Sequence, residues 1–152
     1  MAASWGKSTL LDVDPERLWR FLTSETNDVD WRGPWLRSVH QVTEGPMAVG
    51  TRYASTYRFF GREETVTTEL TELDPPRRMA WQQVGTGSLA INDGSYALEA
   101  AGDGTRFTVT GRIESPDWRR LFDTPFARYL SRAAVHQHRQ LADSLRHAEG
   151  AR

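Results

Sequence analysis

Moving a proton or polarising a carbonyl inside an apolar pocket needs a tyrosine, a histidine or a carboxylate held within reach. The sequence offers three such residues, Tyr57, His136 and Glu64. They stand outside any recognised constellation: there is no G-x-S-x-G elbow, no H-E-x-x-H, no Walker loop and no G-x-G-x-x-G. The "GTGS" that begins at Gly85 is a turn tetrapeptide, with no helical pattern after it to present amides to a phosphate. With Cys 0 the chain has no cysteine nucleophile, thiolate metal site or disulfide. His136 and His138, two apart in a helical pattern, point in different directions, so a shared metal is not expected. Both read as surface or edge histidines. His136 lies nearer the Ala133 side of the apolar stripe and is the one placed to reach a cavity. Glu64 shares strand parity with Val66 and can turn inward; the plainer alternative is a solvated carboxylate beside the Gly61 turn. Neither a metal nor a cofactor is expected.

The elements that must position these residues follow from the local pattern. "STLLDV" reads as a strand. It ends at "DPERLWRFL", where Asp14 can cap a helix, Pro15 suits its first position and Glu16 favours its dipole. A second short helix covers "SETNDVDWR" and stops at Gly33-Pro34. From Ser38 onward, extended segments alternate with turn chemistry at "EGPMAVG", Gly61, "DPPRR", "GTGS" and "AGDG". With the first segment this predicts a meander of about seven antiparallel strands. The last segment begins with a capping signal at Ser115-Pro116-Asp117. Trp118, Leu121, Phe122, Phe126, Tyr129, Ala133, Leu141 and Leu145 then recur at helical spacing, which predicts one long amphipathic helix bent near Pro125. Its arginines, in "WRR", "FAR" and "SRA", read as the outer face, with an anionic head group as the alternative partner.

Strand parity sorts the side chains, because neighbours along a strand point to opposite faces. Tyr53, Ser55, Tyr57 and Phe59 share one face; Val66, Thr68 and Leu70 another; then Met79, Trp81 and Gln83; Tyr96 and Leu98; Phe107, Val109, Gly111 and Ile113. Arg106, Thr108, Thr110 and Arg112 are left to face water. The inward set is aromatic with scattered polar tips, the recipe of a small-molecule pocket. The competing reading is ordinary core. The residues expected to line a pocket are Trp35, Tyr53, Tyr57, Phe59, Trp81, Gln83, Tyr96, Phe107, Phe126 and Tyr129, with Gln83 and Asn92 as hydrogen-bond anchors. In "DWRGPWLRSV", Trp35 reads as rim or wall and Trp31 as packing beneath it; the alternative is that both plug one end of the core.

Composition excludes several classes. At 152 residues the chain fits one domain, residues 1–152, with room for one core. Its formal net charge of -1 supplies no field for nucleic acid or an anionic membrane. No run approaches the roughly 20 apolar residues of a spanning helix, and no secretory signal opens the chain, so a cytoplasmic protein is expected. The aromatic share of 11%, with 6 Trp, is the unusual feature and fits partly wet concave surfaces as well as cores.

The order strand, two short helices, antiparallel strands and long C-terminal helix is that of the helix-grip fold. "DVDPERLWRFLTS", "VTEGPMAVGTRY", "TELDPPRRMAW" and "YALEAAGDGTRFTV" resemble the successive signatures of the START-like (SRPBCC) superfamily, its polyketide cyclase/dehydrase and lipid-transport family. The resemblance covers almost the whole chain. It implies an α+β fold in which a curved sheet wraps a long helix over a deep cavity for lipids, polyketides and other apolar molecules, with the Trp31–Trp35 region near its entrance. It implies no uniform chemistry. Three functions follow as expectations: binding of a small apolar or aromatic ligand; an aromatase/cyclase or dehydratase using pocket Tyr or His; and an interaction module assisting a larger assembly. A homodimer is compatible with all three.

Overall fold

Strand β1 (Ala3–Leu11) passes directly into helices α1 (Pro15–Leu22) and α2 (Glu25–Trp31). The computed structural model describes residues 3–32, 35–59, 61–84, 91–114 and 117–150. The start of α1 is the one its sequence encodes. Asp14 keeps an extended backbone and its side chain accepts from the Arg17 amide at 3.0 Å, while Pro15 fills a position whose N–H is not needed. Leu18, Trp19 and Leu22 fall on one face of α1 and are buried. Helix α2 ends just ahead of Gly33-Pro34, the expected stop, which itself lies outside the described residues.

Six strands follow: β2 (Leu36–Gln41), β3 (Arg52–Phe59), β4 (Arg62–Asp74), β5 (Arg78–Val84), β6 (Ile91–Ala101) and β7 (Gly104–Ile113). Each is antiparallel to the next and β7 returns to pair with β1, giving the order β1-β7-β6-β5-β4-β3-β2. Consecutive strands β1 and β2 are thus the two edges of the sheet, and α1 and α2 carry the chain from one edge to the other. Register shifts in the β2–β3, β4–β5 and β6–β7 pairings add bend and twist to the curved sheet. Parity behaves as period two requires: Val66, Leu70, Met79, Tyr96, Leu98, Phe107, Val109 and Ile113 are all buried.

The C-terminal segment differs from the expected single helix. A 3-10 segment (Asp117–Phe122) comes first, and α3 (Asp123–Gly150) starts only at Asp123. Pro125 supplies the reason: it has no N–H and is tolerated only in the first turn of a helix, so α3 begins around it rather than bending at it. The expected cap residues Ser115 and Pro116 lie outside the described residues. Trp118, Leu121 and Phe122 are exposed rather than on the buried stripe. The stripe that packs is Ala127, Ala134, His138, Leu141 and Leu145. Through it α3 rests on β1 and α2, and Leu141 and Leu145 join Leu18, Trp31, Tyr96 and Phe107 in the main core.

Candidate functional site

Two glycines in mid-strand set the floor of the site. Trp5 on β1 is opposite Gly111 on β7, Gly111 is opposite Gly94 on β6, and Gly94 is opposite Trp81 on β5. Directly opposed residues share a sheet face, so a single row runs Trp-Gly-Gly-Trp across four strands. Glycine weakens a strand interior and marks a close approach, and here the approach is by indole rings. A Cβ on Gly94 would stand 2.7 Å from Cζ2 of Trp81, and one on Gly111 would overlap the Trp5 ring. The two indoles therefore lie down toward the glycines instead of standing up into the space above the sheet.

That space is a cavity of about 170 Å³ between the sheet, α2 and α3. At a minimum of about 10–15 Å³ per water this is room for about a dozen waters at most. Trp5, Trp81, Tyr53, Tyr57 and Tyr96 contribute from the sheet, with Val66, Leu70 and Met79 between them. Trp31, Phe126 and Leu130 close it from the helices. The rings touch in sequence: Trp81 to Tyr96 at 4.8 Å, Tyr96 to Phe107 at 5.3 Å and Trp31 to Tyr96 at 6.0 Å between centroids. Trp35 packs edge-on to Tyr129 at 5.7 Å, and Tyr129 is 47% exposed, so this pair stands where the cavity meets solvent.

The polar part of the wall gathers at the C-terminal end of α2. Arg32 Nη1 is 3.4 Å from Asp28 Oδ2, one helical turn back, and Nη2 donates to the Tyr57 hydroxyl at 3.2 Å. The Arg32 backbone is fixed from two directions: its N–H donates to Asp28 O at 3.0 Å and its carbonyl accepts from Gln137 Nε2 of α3 at 3.0 Å. Burial works against the guanidinium charge, but Tyr57, Tyr96 and Asp28 outweigh it and raise the Arg32 pKa above its ordinary value. Burial likewise holds the Tyr96 hydroxyl above the usual tyrosine range, so it stays a neutral phenol. Among the described residues no group of three or more His, Asp or Glu is placed to hold a metal ion, and no helix is long and apolar enough to cross a membrane.

Residues 5–146 match the family described as polyketide cyclase/dehydrase and lipid transport. The chain belongs to this family. Solved structures agree on the START-like fold at low identity. A protein from Nitrosomonas europaea is 16% identical with a TM-score of 0.74, over 98% of this chain and 97% of that one. Ara h 8.0201 is 15% identical with a TM-score of 0.71, over 95% and 98%. The di-domain ARO/CYC BexL of the BE-7585A biosynthetic pathway is 15% identical with a TM-score of 0.69; the match takes 93% of this chain and 49% of BexL. No curated protein matches the sequence.

In this member of the family, Trp35, Tyr53, Tyr57, Trp81, Tyr96, Phe126 and Tyr129 stand in the cavity wall, and Trp31 lines it from beneath while being only 1% exposed. Phe107 does not: it is 0% exposed and packs behind Tyr96 in the core. Gln83 shares the inward face with Thr68, its partner across β4–β5, yet only Thr68 reaches the wall. The side chains of Phe59 and Asn92 lie outside the described residues. Glu64 is half-buried opposite Tyr57 on β3, outside the wall. Of the two histidines read as surface or edge residues, one is at the surface and the other is not, and neither lines the cavity. His136 is exposed, whereas His138 is buried against Phe107 at 5.3 Å with neither ring nitrogen hydrogen-bonded. Burial, helped by Lys7, lowers the His138 pKa to about 4, so the ring is neutral. Sequence reasoning missed Trp5, Asp28, Arg32 and Gln137. The visible signal was the four-residue step from Asp28 to Arg32 in "NDVDWR", a spacing that places two charges on one helix face.

Proposed function

We propose that this chain binds a small, flat apolar or aromatic molecule in the cavity beneath α3. The observation that carries the reading is the Trp5-Gly111-Gly94-Trp81 row. Filling a core does not require glycines in two adjacent strands, and interiors rarely keep voids larger than a water. Here the glycines hold two indoles low and leave about 170 Å³ open above them. A planar ligand gains stacking and edge contacts there that a branched aliphatic one does not. Membership in a family of cyclases, dehydrases and lipid carriers supports the same reading.

Native mass spectrometry of the purified protein, followed by extraction of the adduct, tests it. An apolar or aromatic adduct that disappears in Trp81→Ala is the expected result. A bare mass, with no uptake from a panel of flat aromatics, would count against a binding role.

A second reading, cyclisation or dehydration of a polyketide-like substrate, is favoured by the Tyr57 hydroxyl held 3.2 Å from Arg32. A phenolic O–H beside a guanidinium is a carbonyl-polarising pair. Under that reading Tyr57→Phe stops turnover and leaves binding intact.

A further inference from the structure

Resting on the binding role proposed above, we infer that the ligand carries an oxygen acceptor, a carbonyl or a carboxylate conjugated to its ring system, which docks on Arg32 at the α2 end of the cavity. A guanidinium presents five N–H donors in a fixed fork. The Asp28 and Tyr57 contacts engage two of them, at 3.4 and 3.2 Å, both toward the long end of the hydrogen-bond range. The remaining donors belong to a side chain in the wall of a largely aromatic cavity, 24% exposed and so open to the cavity space, where a matching acceptor gains a charge-assisted hydrogen bond.

The placement of Arg32 supports a recognition role over a merely structural one. Its backbone is held by Asp28 O and by Gln137 of α3, and its guanidinium by Asp28 and Tyr57, so part of the ordering cost of binding is already met in the free protein. The α2 C-terminus and Asp28 both favour the positive charge. The other charges in the wall are Asp28 itself and Asp93, the latter opposite Arg112 on β7. A cationic ligand group would meet Arg32 directly, and a purely apolar ligand would cover its donors without satisfying them. An acceptor oxygen at one end of a flat ring system matches both the charge and the shape.

Four probes of one shape separate the possibilities: naphthalene, 2-acetylnaphthalene, 2-naphthoate and 2-naphthylmethylammonium, titrated calorimetrically into the wild type, Arg32→Met and Tyr57→Phe. The acetyl or the carboxylate probe should bind at least about tenfold more tightly than naphthalene, and the ammonium more weakly. Arg32→Met should erase that advantage, so that naphthalene, the acetyl probe and naphthoate bind the variant with similar affinity; Tyr57→Phe should reduce the advantage partway. An advantage for the acetyl probe alone assigns a neutral carbonyl, and one for naphthoate assigns an anion. Equal affinity of all four probes overturns the inference and leaves the binding role standing. So does a uniform weakening of all four in both Arg32→Met and Tyr57→Phe, which marks Arg32 as structural. Failure of every probe to bind the wild type removes the binding role and this inference together.

Discussion

The Trp81 indole rests against Gly94 of the adjacent strand so closely that a single added methyl group would stand 2.7 Å from its Cζ2 atom. Gly94→Ala therefore forces either the strand or the ring to move. A strand shift costs roughly 1–3 kcal/mol of overpacking strain, and a ring shift lifts the indole into the cavity. Urea denaturation and naphthalene titration of the same variant read the two responses. A lower midpoint, reduced uptake or both is expected; a protein unchanged in each would show that the glycine is not what holds the floor open.

Asp28 is buried, Arg32 is partly buried, and the two share one helix face. Removing one partner of such a pair leaves the other's polar atoms short of a bond, whereas replacing both avoids that penalty. Asp28→Asn should lower stability by roughly 1–3 kcal/mol. The double variant Asp28→Leu, Arg32→Met should lose less than the sum of its two single changes. Denaturant midpoints of the four proteins give the coupling directly.

His138 links stability to pH. Its folded pKa of about 4 lies below the ordinary value of 6.5, so between those values the unfolded chain binds a proton that the folded chain does not. Stability contributed by the neutral ring is therefore complete above pH 6.5 and declines as the pH falls toward 4. His138→Phe keeps an aromatic ring against Phe107 and should flatten that part of the profile. Thermal melts at intervals across this window, wild type against variant, check it; parallel profiles would mean that other groups carry the slope.

Leu141 and Tyr129 separate the core from the mouth. Leu141, 0% exposed in the main core, should cost roughly 2–5 kcal/mol as Leu141→Ala. Tyr129, 47% exposed and edge-on to Trp35, should cost far less as Tyr129→Ala yet weaken uptake. Parallel urea curves and ligand titrations distinguish the two effects.

The sheet was legible in the sequence because its periodicity is local. Tyr53, Ser55 and Tyr57, or Val66, Thr68 and Leu70, reveal their shared face by parity alone, and the Asp14-Pro15 start of α1 is written in adjacent residues. The helix was harder. Counting one helical phase from Trp118 runs across a 3-10 segment that turns at about 3.0 residues rather than about 3.6. That phase error turns His136, which is exposed, toward the cavity and sends His138, which is buried in the core against Phe107, to the surface. The polar cluster was the least legible part. Asp28 and Arg32 signal each other by spacing, but their meeting with Tyr57 on β3 and Gln137 on α3 depends on how distant elements dock, which no local pattern records. Phe107 illustrates the limit of parity: it faces inward as expected, but the rings of Tyr96 and Trp31 stand against it in the core.

The six tryptophans provide the most direct measurement of whether this cavity is a binding site. Four of them, Trp5, Trp31, Trp35 and Trp81, line it, whereas Trp19 is buried under α1 and Trp118 is exposed on the 3-10 segment. Their indole N–H resonances, assigned by single Trp→Phe variants, should be followed by two-dimensional NMR as naphthalene is added. Saturable shifts in the four cavity signals, with Trp19 and Trp118 unmoved, are the expected result. Six signals that stay fixed, or a response confined to Trp118, would contradict the account and assign the 170 Å³ space no ligand of this kind.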